Sequence, residues 1–156
     1  MFEDSVDNFI SRWQRYAASV ELFSHIEGSP LIECKVDKAI LHIFERTGPY
    51  FKEPGLAKVV LNPTVDEVQF SQEQERLIDV IGISRMRFNG LVLSQEDRFI
   101  IVDAGVPLVV SVQGSVPNVP IEGVWVSCES IAPVHGFLLP RVRSSALTDL
   151  ANIEAD

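Results

Sequence analysis

The N-terminal part of the chain carries apolar side chains at helical spacing. Six of them follow one another at steps of three or four residues: Phe2, Val6, Phe9, Trp13, Ala17 and Val20. Because an α-helix has 3.6 residues per turn, these side chains would lie on one face. The glycine and proline of "EGSP" (27–30) are typical of a helix end. The pattern predicts an amphipathic helix over residues 4–24.

From Leu31 onward the apolar residues recur at about every second position, which is typical of strands. "LIECKV" and "AILHIFER" predict a hairpin that turns near Asp37–Lys38. "LAKVVLN" (56–62) and "EVQFS" (67–71) predict two short strands on either side of "PTVD". "QEQERLIDVIG" (72–82) predicts a brief helix, because Leu77, Ile78 and Ile81 would share a face.

Residues 85–139 form the part of the chain richest in strand patterns. Five segments qualify: "RMRFNGLVLS", "RFIIVDA", "PLVVSVQG", "GVWVSCES" and "PVHGFLL". "SQEDR" between the first two predicts a tight polar hairpin. In "GVWVSCES", alternation places Val124, Val126, Cys128 and Ser130 on one face and Trp125 on the other.

A helix followed by many short strands with Gly and Pro turns predicts an α+β fold. We expect the N-terminal amphipathic helix to pack on a mainly antiparallel small barrel or strongly bent sheet, and an OB-like barrel is one form of it. Residues 1–143 would make a single globular domain with a β-rich part over 31–143. Residues 144–156 would form an acidic tail, either frayed or a short helix.

The composition is that of a water-soluble chain with a core. Of its 156 residues, 46% are hydrophobic and 22% are charged. Its apolar runs, such as "VPLVVSV" (106–112), are much shorter than the roughly 20 residues that span a bilayer. The start "MFEDSVDNF" lacks the basic residues and apolar block of a signal peptide. We therefore expect a cytoplasmic protein with no membrane association.

The net charge of −9 disfavours a general binder of duplex DNA, which needs Lys and Arg to neutralise phosphates. The charge is uneven along the chain. Residues 1–83 carry 14 acidic and 8 basic residues, residues 84–143 carry 5 of each, and residues 144–156 carry 3 acidic residues and no basic one. Acidic surfaces of this kind attract basic partners.

No motif of a known catalytic, metal or phosphate site occurs in the sequence: HExxH, CxxC, GxSxG and GxxxxGK[ST] are all absent. We therefore expect no cofactor and no metal, and the sequence leans away from an enzyme. Cys34 and Cys128 are predicted to be buried thiols that act as small apolar groups, and a structural disulfide between them is the alternative. Asp103 is predicted to be a turn residue that binds local amides. A small hydrolase that uses Asp103 or His135 is a third hypothesis.

Two short basic repeats, "RMR" (85–87) and "RVR" (141–143), stand at the ends of the β-rich part. Alternation puts the two guanidinium groups of each repeat on one side of a strand. The four residues are Arg85, Arg87, Arg141 and Arg143. If the strands are neighbours, the four would form a positive patch; otherwise they pair with surface acids. Three aromatic residues could stack on bases beside such a patch: Phe88, Trp125 and Phe137.

The leading hypothesis is a non-catalytic cytoplasmic interaction domain (an adaptor, inhibitor, immunity-type or chaperone-like protein) that binds a protein partner. Its contact residues would be Trp125, Tyr50, Phe51 and the acidic helix face. The alternative is a single-stranded nucleic-acid-binding module that uses the four arginines. A bare edge strand such as "PLVVSVQG" would also favour a homodimer, and the sequence leaves the choice between monomer and dimer open.

Overall fold

The computed structural model of the chain describes residues 5–24, 29–47 and 53–140. In these ranges a helix, α1, covers Val6–Trp13 and a 3₁₀ turn covers Gln14–Tyr16. Ten strands follow: β1 (Ala18–Leu22), β2 (Leu31–Val36), β3 (Ala39–Glu45), β4 (Gly55–Val65), β5 (Gln69–Phe70), β6 (Leu77–Gly82), β7 (Arg85–Glu96), β8 (Phe99–Asp103), β9 (Pro107–Val112) and β10 (Trp125–Leu138).

Eight of these strands close a barrel. The circuit runs β10–β3–β2–β1–β4–β9–β8–β7 and returns to β10, and β4 also pairs directly with β10. The pairings are antiparallel except for β10 with β3 and β4 with β9. β5 and β6 are additional strands beside β10 and β7. The predicted α+β fold with a small barrel is confirmed, with eight strands in the circuit where an OB-fold barrel has five.

The barrel interior is filled by alternate side chains of its strands. On β1, for example, Ala18, Val20 and Leu22 are buried while Ser19 and Glu21 are exposed. The remaining seven strands of the circuit also contribute buried side chains to this apolar cluster. Removing this surface from water is the main favourable term in folding.

Helix α1 covers the outside of β4, β8 and β9. Its side chains Phe9 and Trp13 are buried and belong to a second apolar cluster on that outer face. Phe9 stacks on Phe137 with 4.3 Å between ring centroids. The Ser5 hydroxyl accepts a hydrogen bond from the backbone N–H of Asn8 and caps the helix. Among the described residues, no helix is long and apolar enough to cross a membrane.

The predicted helix over 4–24 is wrong beyond Trp13. Residues Ala18–Leu22 form β1, which pairs with β2 and β4. The segment "AASVEL" fits two periods, since Ala17 and Val20 continue the helical stripe while Ala18, Val20 and Leu22 alternate. Pairing on both edges of β1 buries the alternating set, and this tertiary gain decides the conformation. Phe2 lies outside the described residues.

Residues 72–82 do not form the predicted helix. Leu77–Gly82 is strand β6, which pairs with β7, and its partly buried side chains Ile78 and Val80 pack against the interior cluster. The segment "PLVVSVQG" is no edge either, because β9 lies between β8 and β4. A bare edge at this segment was the reason to expect a homodimer, and β9 has no such edge.

Two predicted hairpins are confirmed. β2 and β3 pair around Asp37–Lys38, with Val36 opposite Ala39. β7 and β8 pair around Asp97–Arg98, with Glu96 opposite Phe99. Asp37 and Asp97 both have a positive φ near 55°, a backbone conformation that Asp tolerates better than most residues.

The predicted strand "LAKVVLN" extends to Val65 as β4, and Gln69–Phe70 of the predicted strand "EVQFS" form the separate strand β5. The predicted strands "GVWVSCES" and "PVHGFLL" are one continuous strand, β10. The pairing of β10 with β4 shifts register between Ile131 and His135, opposite Pro63. Pro63, which has no N–H to donate, is tolerated in β4 because the bulge already interrupts the hydrogen bonds between β4 and β10 at this point. At Gly136, an added Cβ would lie 2.5 Å from the Ile43 side chain, so this residue allows the close approach.

Candidate functional site

The candidate site lies on the outer face of four neighbouring strands, in the order β5, β10, β7 and β6. Side chains on each strand alternate between this face and the barrel interior. On β10 the inward residues are Val126, Cys128 and Ser130, all buried, as the alternation predicts. On β7 the inward residues are Met86 and Phe88. Arg85, Arg87, Ser127 and Glu129 therefore lie together on the outer face.

A groove of about 330 Å³ opens on this face. It is lined by both arginines of the "RMR" repeat and by the carboxylates of Asp66, Glu67 and Glu129, with Ser127 between them. The groove thus contains three acidic and two basic side chains, so its net charge is negative, like that of the whole chain.

Both arginines of the groove are engaged by acids. The Arg85 Nη2 group lies 3.0 Å from Glu129 Oε1, and Arg85 Nε donates to the backbone carbonyl of Ser130 at 3.3 Å. The Arg87 Nη1 group lies 3.9 Å from Asp79 Oδ2. The sequence allowed either a positive patch or arginines paired with surface acids, and these contacts correspond to the pairing with surface acids.

Four of the predicted contact residues lie outside the described residues: Arg141, Arg143, Tyr50 and Phe51. The predicted acidic tail over 144–156 lies outside them as well. Of the four arginines, Arg85 and Arg87 are the two that the structure describes, and both line the site.

The three aromatic residues predicted to stack on bases are all at least half-buried. Phe88 lies in the barrel interior and Phe137 lies under α1, and both are fully buried. Neither ring offers a face to a base, because the barrel interior encloses Phe88 and helix α1 covers Phe137. Trp125 lies on the outer face but is half-buried, and the guanidinium group of Arg76 covers its ring at 5.1 Å.

The segment 71–76 crosses the outer face and covers the part around Asn89 and Trp125. The Asn89 side-chain amide donates to the carbonyls of Glu73 and Glu75, at 3.0 and 2.7 Å. The backbone N–H of Ser71 donates to the carbonyl of Trp125 at 2.9 Å. Because this segment is held at both ends, the groove stays open only in the half that contains Arg85, Arg87 and Glu129.

An apolar ridge, formed by Ile83, Ile131, Ala132 and Pro133, stands beside the groove. Ile83 is 74% exposed and Ile131 is 37% exposed, and Ala132 and Pro133 are exposed as well. No pattern considered in the sequence predicts this ridge. The available signal was an isoleucine between Gly82 and Ser84, where a turn normally carries polar residues.

A second hollow of about 220 Å³ lies on the other side of the ridge. His135 lines it, and its Nδ1 atom accepts a hydrogen bond from the Arg46 guanidinium group at 3.1 Å. Burial, and then the positive charge of Arg46, lower the pKa of His135.

The remaining chemical candidates are Asp103, Cys34 and Cys128. Asp103 accepts a hydrogen bond from the backbone N–H of Gly105 at 3.1 Å, as predicted, and its other oxygen binds Arg76 Nε at 2.8 Å. Cys34 and Cys128 are free and buried, which confirms the prediction of buried thiols. Within the ranges the structure describes, no three potential metal-ligating side chains cluster.

The chain matches no known protein family, no curated protein and no solved structure. The groove and the apolar ridge therefore define the candidate site by their own geometry and charge. Chemically they offer a polar groove with side chains of both charges beside an exposed apolar ridge.

Proposed function

We propose that the protein is a non-catalytic interaction domain that acts in the cytoplasm, as an adaptor, inhibitor, immunity-type or chaperone-like protein. Its partner is a basic protein that binds over the groove. The observation that supports this proposal is the balance of charge in the groove. Arg85 is already paired with Glu129, whereas no cation among the described residues lies within ion-pair distance of Asp66 or Glu67.

Surplus carboxylates favour a basic partner for a physical reason. Exposed charges contribute little to affinity individually, but together they steer the encounter and set the orientation of the partner. The net charge of −9 extends this attraction over the whole protein at low salt. The arginines add specificity, since a partner that places acids opposite Arg87 is distinguished from a uniformly basic surface.

The test is affinity capture from the native host with a matched pair of charge variants. Asp66→Lys with Glu67→Lys reverses the groove, whereas Glu21→Lys with Glu122→Lys makes the same change of net charge at exposed sites elsewhere. We expect wild type and the control to retain a basic protein at low salt and release it at high salt, and the groove variant to lose it. Equal capture by all three forms would refute the groove as the contact surface.

The alternative is a single-stranded nucleic-acid module of OB-like type, and one observation favours it. Arg85 and Arg87 lie side by side on an exposed face and line the groove, as a track for a phosphate backbone would require. Fluorescence anisotropy of a labelled mixed-sequence oligonucleotide tests it. Salt-sensitive binding that disappears in the Arg85→Ala, Arg87→Ala variant would support this function in place of the first.

A homodimer is a separate candidate assembly, because a second copy of this chain is itself acidic and is not the basic partner proposed above. Sedimentation velocity over a range of protein concentrations distinguishes a monomer from a dimer. A concentration-dependent shift to twice the monomer mass would identify the second copy as a partner, and a constant monomer mass would exclude it.

A further inference from the structure

We infer that the apolar ridge is the anchor by which this domain holds its basic partner, and that it inserts into an apolar depression ringed by Lys and Arg side chains. The inference rests on the proposed function and names the part of the surface that would supply most of the affinity. In protein interfaces a few apolar or aromatic residues at the centre carry most of the binding energy.

The ridge is held rigidly in place by buried serines. The backbone N–H of Val134 donates to both the hydroxyl and the carbonyl oxygen of Ser84, at 2.8 and 3.1 Å. The Ser130 hydroxyl accepts from the backbone N–H of Met86 at 2.9 Å. These bonds join the turn that carries Ile83 to the bulge that carries Ile131. A projection fixed before binding loses little conformational entropy when the partner docks.

The apolar side chains of the ridge are not explained by folding. Ile83 is 74% exposed, and the turn is joined to the bulge by hydrogen bonds of Ser84 and Ser130 in which the isoleucine side chains take no part. Ile131 lines both the groove and the second hollow, so the ridge separates two depressions. A convex apolar element between two hollows provides the shape that an interface needs for complementary packing.

Charge selects the occupant. In the groove on one flank of the ridge, Glu129 is paired with Arg85, while Asp66 and Glu67 have no cationic partner among the described residues and leave an excess of negative charge beside the apolar centre. A second copy in symmetric contact would bring Asp66 and Glu67 of both chains towards each other, and an anionic lipid surface would be repelled in the same way. A basic protein surface with an apolar centre complements both features.

The test compares three forms of the full chain in capture from the native host, with the retained proteins identified by mass spectrometry. The ridge variant carries Ile83→Ser and Ile131→Ser. The control carries Leu56→Ser, which removes an equally apolar side chain that is 80% exposed at the start of β4. Thermal unfolding verifies that all three forms fold. We expect the ridge variant to retain about tenfold less of a basic protein than wild type and control do.

Each other outcome overturns the inference. If the ridge variant retains the partner as well as wild type does, while the Asp66→Lys, Glu67→Lys variant of the preceding test loses it, the ridge is no anchor and the proposed function stands. If no form retains a protein at any salt concentration, the inference and the proposed function both fail. If wild type sediments as a dimer that the ridge variant dissociates, the occupant is a second copy instead of a basic partner.

Discussion

The hydroxyl group of Ser84 accepts a hydrogen bond from the backbone amide of Val134 at 2.8 Å, fifty residues away along the chain. This contact joins the β6–β7 turn to the bulge of β10, and both groups are buried. The outer face thereby gains a fixed projection instead of two independent loops. It is also the contact that a single substitution can remove most cleanly.

Ser84→Ala should lower the free energy of unfolding by about 1 kcal/mol, because the hydroxyl bond is lost while the carbonyl of residue 84 still accepts from Val134. Ser84 has a φ of 54°, which costs any residue with a Cβ. Ser84→Gly should therefore be less destabilising than Ser84→Ala. Urea unfolding of the three proteins measures both differences, and an alanine variant as stable as wild type would show that the hydroxyl contributes nothing.

His135 should make stability depend on pH. Its pKa is lowered in the fold by burial and by Arg46, whereas in the unfolded chain it titrates near the usual value of about 6.5. The unfolded state therefore binds more protons in this range. The contribution of His135 to the free energy of unfolding should be fully present above about pH 6.5. It should decrease as the pH falls through that value and stop changing below the pKa of His135 in the folded protein.

The variant His135→Asn tests this dependence, since an amide oxygen can still accept from Arg46 but does not titrate. The difference in unfolding free energy between wild type and variant, measured by urea from about pH 7.5 to about pH 5, should shift in favour of the variant as the pH falls. A difference that stays constant with pH would show that His135 is not the group responsible.

Phe9 should anchor α1 to the barrel. Its ring stacks on Phe137 at 4.3 Å and meets Phe99 edge-on at 5.9 Å. Phe9→Ala should cost about 3–5 kcal/mol, as large-to-small changes at buried aromatic sites do. Leu56→Ala, at an exposed site, should stay within about 0.5 kcal/mol of wild type. Chemical denaturation followed by circular dichroism compares them, and a small effect at Phe9 would mean that the helix is dispensable.

Cys34 and Cys128 should be unreactive in the folded protein. Burial raises the pKa of each thiol to about 12, so at pH 8 only about one molecule in ten thousand would carry the reactive thiolate. Iodoacetamide should leave the native protein unmodified and label both cysteines in urea. Rapid labelling of the folded protein would contradict the buried positions, and mass spectrometry would identify the residue concerned.

Asn89 should hold segment 71–76 over the outer face. Asn89→Ala removes its hydrogen bonds to the carbonyls of Glu73 and Glu75 and should cost about 1–2 kcal/mol. Hydrogen exchange of the amides in 71–76 should become faster, while exchange in β8 and β9 stays unchanged. If the protection of 71–76 is the same in the variant, the segment is held by Arg76 and Ser71 alone.

The errors of the sequence analysis have one common cause. "AASVEL" and "LIDVIG" each satisfy a helical and an alternating pattern, and the pairing partners of β1 and β6 lie elsewhere in the chain. Local patterns contain no information about those partners. The same holds for Phe88 and Phe137, whose burial depends on which surface covers the strand.

Local patterns likewise predict only part of the candidate site. The outward position of Arg85 and Arg87 follows from alternation and could be predicted. Their acidic partners Glu129 and Asp79 come from two other strands, so only the strand order decides that the arginines are neutralised. The apolar ridge depends on a register shift in β10, which no local pattern specifies.

The sequence by itself determined the class of fold, the two confirmed hairpins, the buried thiols and the acidic charge, because each depends on composition or on neighbours a few residues away. Only the tertiary structure decided where α1 ends, how the barrel closes and which residues share the outer face. These features depend on hydrogen-bonded pairing between distant segments, and the free energy of that pairing outweighs the small local preferences of the chain.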